Sequence, residues 1–70
     1  MEEFEFEKAV VELIEIEGRT TPAGAFHQLT FRVKPKSFEL DFNCVCTVER
    51  DTAPNFEEHA RRAYEMWLRK

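Results

Sequence analysis

The chain is poor in the residues that hold small folds together covalently. Its 70 residues include two cysteines, Cys44 and Cys46. Two are too few for a disulfide scaffold, and their i, i+2 spacing on one strand does not readily bring two sulfurs to bonding distance. Free thiols suit a reducing compartment. No apolar run approaches the ~20 residues of a membrane-spanning helix. The opening Met1-Glu2-Glu3-Phe4-Glu5 lacks the basic and then apolar pattern of a signal peptide. The expectation is a soluble, cytoplasmic protein without membrane contact. Glycine is nearly missing, and both residues, Gly18 and Gly24, fall in one stretch. Internal repeats and low-complexity segments are absent.

A chain of 70 residues makes a single domain over 1–70. Such a domain buries only about 60% of its unfolded surface, and its core rarely supplies more than ~3–5 kcal/mol. Small domains commonly add a metal or a partner to that margin. The net charge of −4 opposes non-specific attraction to nucleic acid or acidic membrane. The charge is laid down in blocks: −6 over residues 1–18, +4 over 19–36, −5 over 37–58 and +3 over 59–70.

What is abundant is alternation. In Phe38–Val48 the apolar residues Phe38, Leu40, Phe42, Cys44, Cys46 and Val48 are separated by Glu39, Asp41, Asn43, Val45 and Thr47. Period two is the mark of a half-buried strand, and this segment is expected to be the central one. Glu3–Ile16 alternates at both ends, but its middle, Ala9-Val10-Val11-Glu12-Leu13-Ile14, breaks the pattern. A first strand with a bulge or break between Lys8 and Leu13 accommodates this; a helical first turn or two is the alternative. Gly18–Gly24 reads as loop, followed by a second strand over Phe26–Lys34.

A tight connection with Pro35 and Lys36 at its tip would place Val33 opposite Phe38, Phe31 opposite Leu40 and Leu29 opposite Phe42. The other face would then pair Arg32 with Glu39 and Phe26 with Val45, and His27 would stand opposite Cys44. This sorts apolar pairs to one side and polar pairs to the other. A Pro-Lys tip is not a favoured hairpin turn, so a wider loop that keeps the same faces is allowed. After Glu49–Asn55 a helix opens at Asn55, with Thr52 as the other possible cap. Phe56, Ala60, Ala63 and Trp67 form its apolar stripe. The expected fold is α+β: a three-stranded antiparallel β-meander with one C-terminal helix packed on one face.

Several groupings bear on function. His27, Cys44, Cys46 and His59 could hold zinc, but zinc-binding cysteines usually converge from turns rather than from alternate strand positions. Two inert core thiols are the commoner reading. His27 and Cys44 as base and nucleophile would need an activated, reachable thiolate, for which nothing in the sequence provides. No cofactor, metal site or catalytic residue is therefore expected. Arg19, Arg32, Lys34 and Lys36 could form a nucleic-acid face with Phe26 stacking on bases, although acidic neighbours partner much of that charge. Glu3, Glu5 and Glu7 could instead imitate a row of phosphates. The sheet face left bare by the helix offers another surface. Phe26 and Val45 should lie there, joined either by Val11 and Leu13 or by Ile14 and Ile16, depending on which pair points inward. The preferred arrangement puts Val11, Leu13, Phe26 and Val45 on a candidate interface. The resulting expectation is a non-enzymatic interaction protein that binds another macromolecule and is itself a homodimer, formed through the bare face or the adjoining edge strand. A nucleic-acid module built on the basic residues is the alternative.

Overall fold

A computed structural model describes residues 2–49 and 55–69. The chain runs β1 (Glu3–Glu5), β2 (Ala9–Thr21), β3 (Gly24–Pro35), β4 (Phe42–Glu49) and α1 (Phe56–Arg69). The strands form one antiparallel sheet in the order β1-β2-β3-β4. The α+β class and the C-terminal helix agree with the sequence reading, whereas the sheet has four strands rather than three. The additional strand arises because the expected first strand is broken at Phe6–Lys8. The chain reverses there, with the Phe6 amide donating to the Ala9 carbonyl at 2.9 Å.

A second irregularity settles the ambiguous middle of that segment. Leu13 lies opposite Phe31 and Glu15 opposite Thr30, so Ile14 is an extra residue, a β-bulge. The bulge shifts the phase of the alternation by one. Val11 and Leu13 face the helix before it, and Ile16, opposite Leu29, returns to the same side after it. Ile16 and the Val11–Leu13 pair are therefore not mutually exclusive choices. Val11 and Leu13, expected on the bare face, are 0% and 1% exposed in the core.

Gly18–Gly24 is not an open loop. The β2–β3 ladder continues through Gly18↔His27 to Thr21↔Gly24, leaving Pro22 and Ala23 as the tip. Proline fixes φ near −65°, so the tip cannot take positive φ at both central residues as the favoured hairpin turn does. The positive φ falls on Gly24 instead, at +142°. The Thr21 hydroxyl accepts from the Ala23 amide at 3.3 Å and donates to the Gly24 carbonyl at 3.1 Å, tightening the turn.

The segment expected to be the central strand forms the sheet edge. β2 and β3 are the interior strands, and β4 begins at Phe42 rather than Phe38. Its pairing with β3 is offset by four residues from the expected register. Val33 stands opposite Phe42, Phe31 opposite Cys44, Leu29 opposite Cys46 and His27 opposite Val48. An even offset leaves every side chain on its expected face. The tight Pro35-Lys36 turn is replaced by a wider loop, because the Lys36 amide donates to the Lys8 carbonyl at 3.0 Å and carries the chain on toward the β1–β2 turn. Phe38 and Leu40, expected in the core, are fully exposed in that loop at 109% and 87%.

The helix starts as expected. Asn55 Oδ1 accepts from the Glu58 amide at 3.1 Å, an N-cap, while Thr52 lies outside the described residues. Glu58–Arg62 at 2.7 Å and Glu57–Arg61 at 3.7 Å brace the outer side of the helix. Ala60 and Ala63, at 0% and 1% exposure, let the helix lie close to Ala9, Val11, Leu13, Leu29, Phe31 and Val33. Phe6 stacks on Tyr64 with centroids 4.6 Å apart, and Tyr64 leans on Trp67 at 5.9 Å. The Lys8 amide donates to the Tyr64 hydroxyl at 3.2 Å, so the β1–β2 turn is tied to the helix as well.

Trp67, 6% exposed, is the largest side chain that the helix inserts. Replacing it with alanine should cost on the order of 3–5 kcal/mol, enough to unfold a domain with so small a core. Thermal denaturation followed by circular dichroism checks this. An unchanged melting temperature for Trp67→Ala would show that helix docking does not depend on the indole.

Candidate interaction surface

The residues singled out in the sequence separate into three places. Val11 and Leu13 lie beneath the helix. Phe26 lies on the opposite face, half-buried between Arg19 of β2 and Glu49 of β4. Val45, 56% exposed, faces the same way but stands opposite Thr30. Four residues of β3 separate Thr30 from Phe26, or ~13 Å at the rise of a strand. Phe26 and Val45 therefore do not pair, and the four residues do not form one patch.

The face away from the helix is largely electrostatic. Glu3 and Glu12 stand directly opposite each other on β1 and β2, an unfavourable like-charge pair. Lys34 on β3 answers both, at 2.8 Å from the Glu3 carboxylate and 3.4 Å from that of Glu12. Lys36 reaches Glu5 at 2.9 Å, and Arg19 reaches Glu17 at 3.3 Å. Hydrogen bonds from Lys34 and Lys36, with their charges, hold the Glu3 and Glu5 carboxyls below the ordinary range. The bond to Glu3 in turn raises the Lys34 ammonium. Of the four cations proposed for a nucleic-acid face, Arg19, Lys34 and Lys36 are thus engaged by carboxylates, and Arg32 lies between Glu12 and Asn43 in the sheet.

The thiols lie on the helix side. Cys44 is 8% exposed, and its Sγ donates to Met66 Sδ at 3.6 Å. Cys46 is half-buried. Burial pushes both thiols above their ordinary value, and for Cys46 the neighbouring Cys44 adds to the rise while Arg62 opposes it. His27, expected opposite Cys44, stands opposite Val48 on one side and Gly18 on the other. Four residues of β4, ~13 Å along the strand, separate it from the Cys44 position. The described residues contain no group of three or more His, Cys, Asp or Glu side chains arranged to hold a metal ion.

Sequence reasoning missed Phe38 and Leu40, the most exposed large apolar side chains among the described residues, because it assigned them to the core, whereas Val45 was expected on the bare face. Phe38 and Leu40 project from the loop before β4, and Val45 and Met66, at 56% and 51% exposure, lie on β4 and beside it. The same loop meets the end of the helix at an open cleft lined by Lys8, Lys36, Ser37, Glu39 and Trp67. Ser37 donates to the Glu39 carboxylate at 2.9 Å, folding the loop back on itself just before Leu40. The only sequence-level hint of this exposure was the poor fit of Pro-Lys to a two-residue hairpin tip.

No family model, curated protein or solved structure matches this chain. Among the described residues no helix is long and apolar enough to cross a membrane.

Two measurements test this description. Lys34→Met removes the cation between Glu3 and Glu12, so the Glu3 titration, followed by NMR of the side-chain carboxyl carbon, should move up toward the ordinary value of 4.5. A carboxyl whose folded value is depressed stabilises the fold above its unfolded value and loses that contribution as pH falls through the folded one. Pairing of β1 should accordingly weaken on acidification below the ordinary carboxylate range, and less so in Lys34→Met. Cys44, buried, and Cys46, half-buried, both with raised thiols, should react slowly with a thiol reagent in the native state and rapidly in denaturant. Fast native labelling of both would contradict their placement under the helix.

Proposed function

We propose that this chain is a non-enzymatic interaction protein that works as a homodimer and binds another macromolecule. The observation that carries the reading is the pair of exposed large apolar side chains just before β4, Phe38 and Leu40, with Val45 exposed on the face away from the helix and Met66 on the helix side. Singly scattered exposed apolar residues are ordinary, whereas Phe38 and Leu40 are exposed two residues apart on one loop, the kind of grouping that favours an interface. Burying Phe38 and Leu40 from each of two copies contributes ~1.5–3 kcal/mol per side chain. Association costs an estimated ~4–15 kcal/mol, of the same order as that gain, so a dimer held by these side chains is of modest affinity at most. The raised thiols support the non-enzymatic part, since the thiolate is the reactive form of cysteine.

The nucleic-acid reading has less behind it, because Arg19, Lys34 and Lys36 already meet carboxylates within the sheet. Sedimentation equilibrium over the micromolar range tests the homodimer: a monomer–dimer equilibrium is expected. A monomer throughout that range would overturn it.

A further inference from the structure

We infer that two copies of this chain join along β4, antiparallel and about a two-fold axis at Asn43, with Phe38–Val48 of one copy paired to Val48–Phe38 of the other. The inference rests on the homodimer reading above and adds the surface and the register.

The first argument is a mismatch between pattern and environment. Period-two alternation runs without interruption from Phe38 to Val48, but β3 pairs only with Phe42–Glu49. Within the paired part, Cys44 on the apolar phase is 8% exposed. In the unpaired part, Phe38 and Leu40 on the same phase are 109% and 87% exposed. Strand-like alternation is useful where a strand has one covered face, and residues 38–41 carry the pattern without the cover.

The second argument concerns the two sheet edges. Sheet edges are ordinarily blunted by shortness, charge, proline or a bulge. β1 is so protected, being three residues long with Glu3 and Glu5 facing out. β4 is eight residues long and pairs with β3 without a register shift. Its stretch from Phe42 to Val48 contains neither charge nor proline. Among the described residues no strand lies on its other side. The helix lies over β2 and β3 and reaches β4 on its face, at Cys44 through Met66, so among the described residues no helix runs along this edge.

The third argument identifies the occupant. The apolar positions 38, 40, 42, 44, 46 and 48 are symmetric about 43, so the segment is complementary to itself when reversed. Pairing centred on Asn43 sets Phe38 against Val48, Leu40 against Cys46 and Phe42 against Cys44 on the helix side. On the other side Glu39 meets Thr47, Asp41 meets Val45, and Asn43 meets Asn43. Every apolar residue of the phase finds an apolar partner, and no two charges of one sign face each other. Recentring on Cys44 sets Glu39 against Glu49. Recentring on Phe42 sets Val48 against Lys36. A two-fold axis perpendicular to the sheet is the isologous solution and keeps both helices on one side of a continuous eight-stranded sheet.

The test uses the full chain. In a Cys44→Ala, Cys46→Ala background, Asn43→Cys under mild oxidation should give a disulfide-linked dimer. Directly opposed residues of an antiparallel pair have Cα atoms ~4.5–5.5 Å apart, within the ~4.4–6.8 Å that a disulfide spans. Thr47→Cys in the same background should stay unlinked, because the two copies of that residue would be eight positions, or ~26 Å, apart. Independently, Phe38→Lys in the parent chain should weaken dimerisation about tenfold or more in sedimentation equilibrium. Its circular dichroism and melting temperature should be unchanged, since Phe38 is fully exposed within one copy. If the parent dimerises but Phe38→Lys does so equally well and Asn43→Cys does not cross-link, this edge and register are overturned while the homodimer stands. If the parent is monomeric throughout the micromolar range, both readings fall.

Discussion

A helix of 14 residues cannot cover a sheet whose interior strands run to 13 and 12 residues. At their respective rises the helix is ~21 Å long and β2 is ~43 Å. Covered residues form the core: Ala9, Val11 and Leu13 on β2, Leu29, Phe31 and Val33 on β3, and Cys44 on β4. Beyond the reach of the helix, residues 15–24 are all exposed, and the β2–β3 hairpin continues as an arm. The 42 × 19 × 19 Å outline of the molecule follows from this difference in length. The alanines at 60 and 63 bring helix and sheet close, so the core is thin as well as short.

Two local devices make such a sheet workable. The bulge at Ile14 lets one strand present Val11 and Leu13, and then Ile16, to the same side, while Glu12, Glu15 and Glu17 stay on the other. Lys34 lets a three-residue edge strand rich in glutamate lie beside another strand carrying glutamate. Exposed ion pairs contribute little singly, but here the cation also relieves a repulsion that the register imposes. The block distribution of charge along the chain, acidic at the start and basic over 19–36, becomes a set of neighbours once β1, β2 and β3 lie side by side.

Among the described residues, the remaining edge shows no bulge and no such cation. β4 is long for the material covering it, uncharged over its middle and preceded by two fully exposed large side chains. A small domain with a thin core gains from any further burial, and an unguarded strand is the least costly place to obtain it, because the backbone donors and acceptors are already aligned. This is the physical ground for locating the proposed self-association at β4 rather than on the charged face.

The sequence by itself determined the elements whose evidence is local. The asparagine cap, the Phe56–Ala60–Ala63–Trp67 stripe and the strand character of Phe26–Lys34 depend on spacing within a few residues. The faces of β3 and β4 were legible too, since alternation has only two phases and an even shift preserves them. Tertiary structure decided the rest. Alternation states which side a residue faces, but not whether anything covers that side, so Phe38 and Leu40 read as core. It cannot distinguish a register from one offset by four residues, so His27 was set against Cys44 instead of Val48. A bulge reverses the phase at a point that only the partner strand reveals, so Val11 and Leu13 were assigned to the bare face. The interface candidates failed to gather for the same reason: local pattern fixes the direction of a side chain, and only the pairing of strands and the reach of the helix fix what it meets.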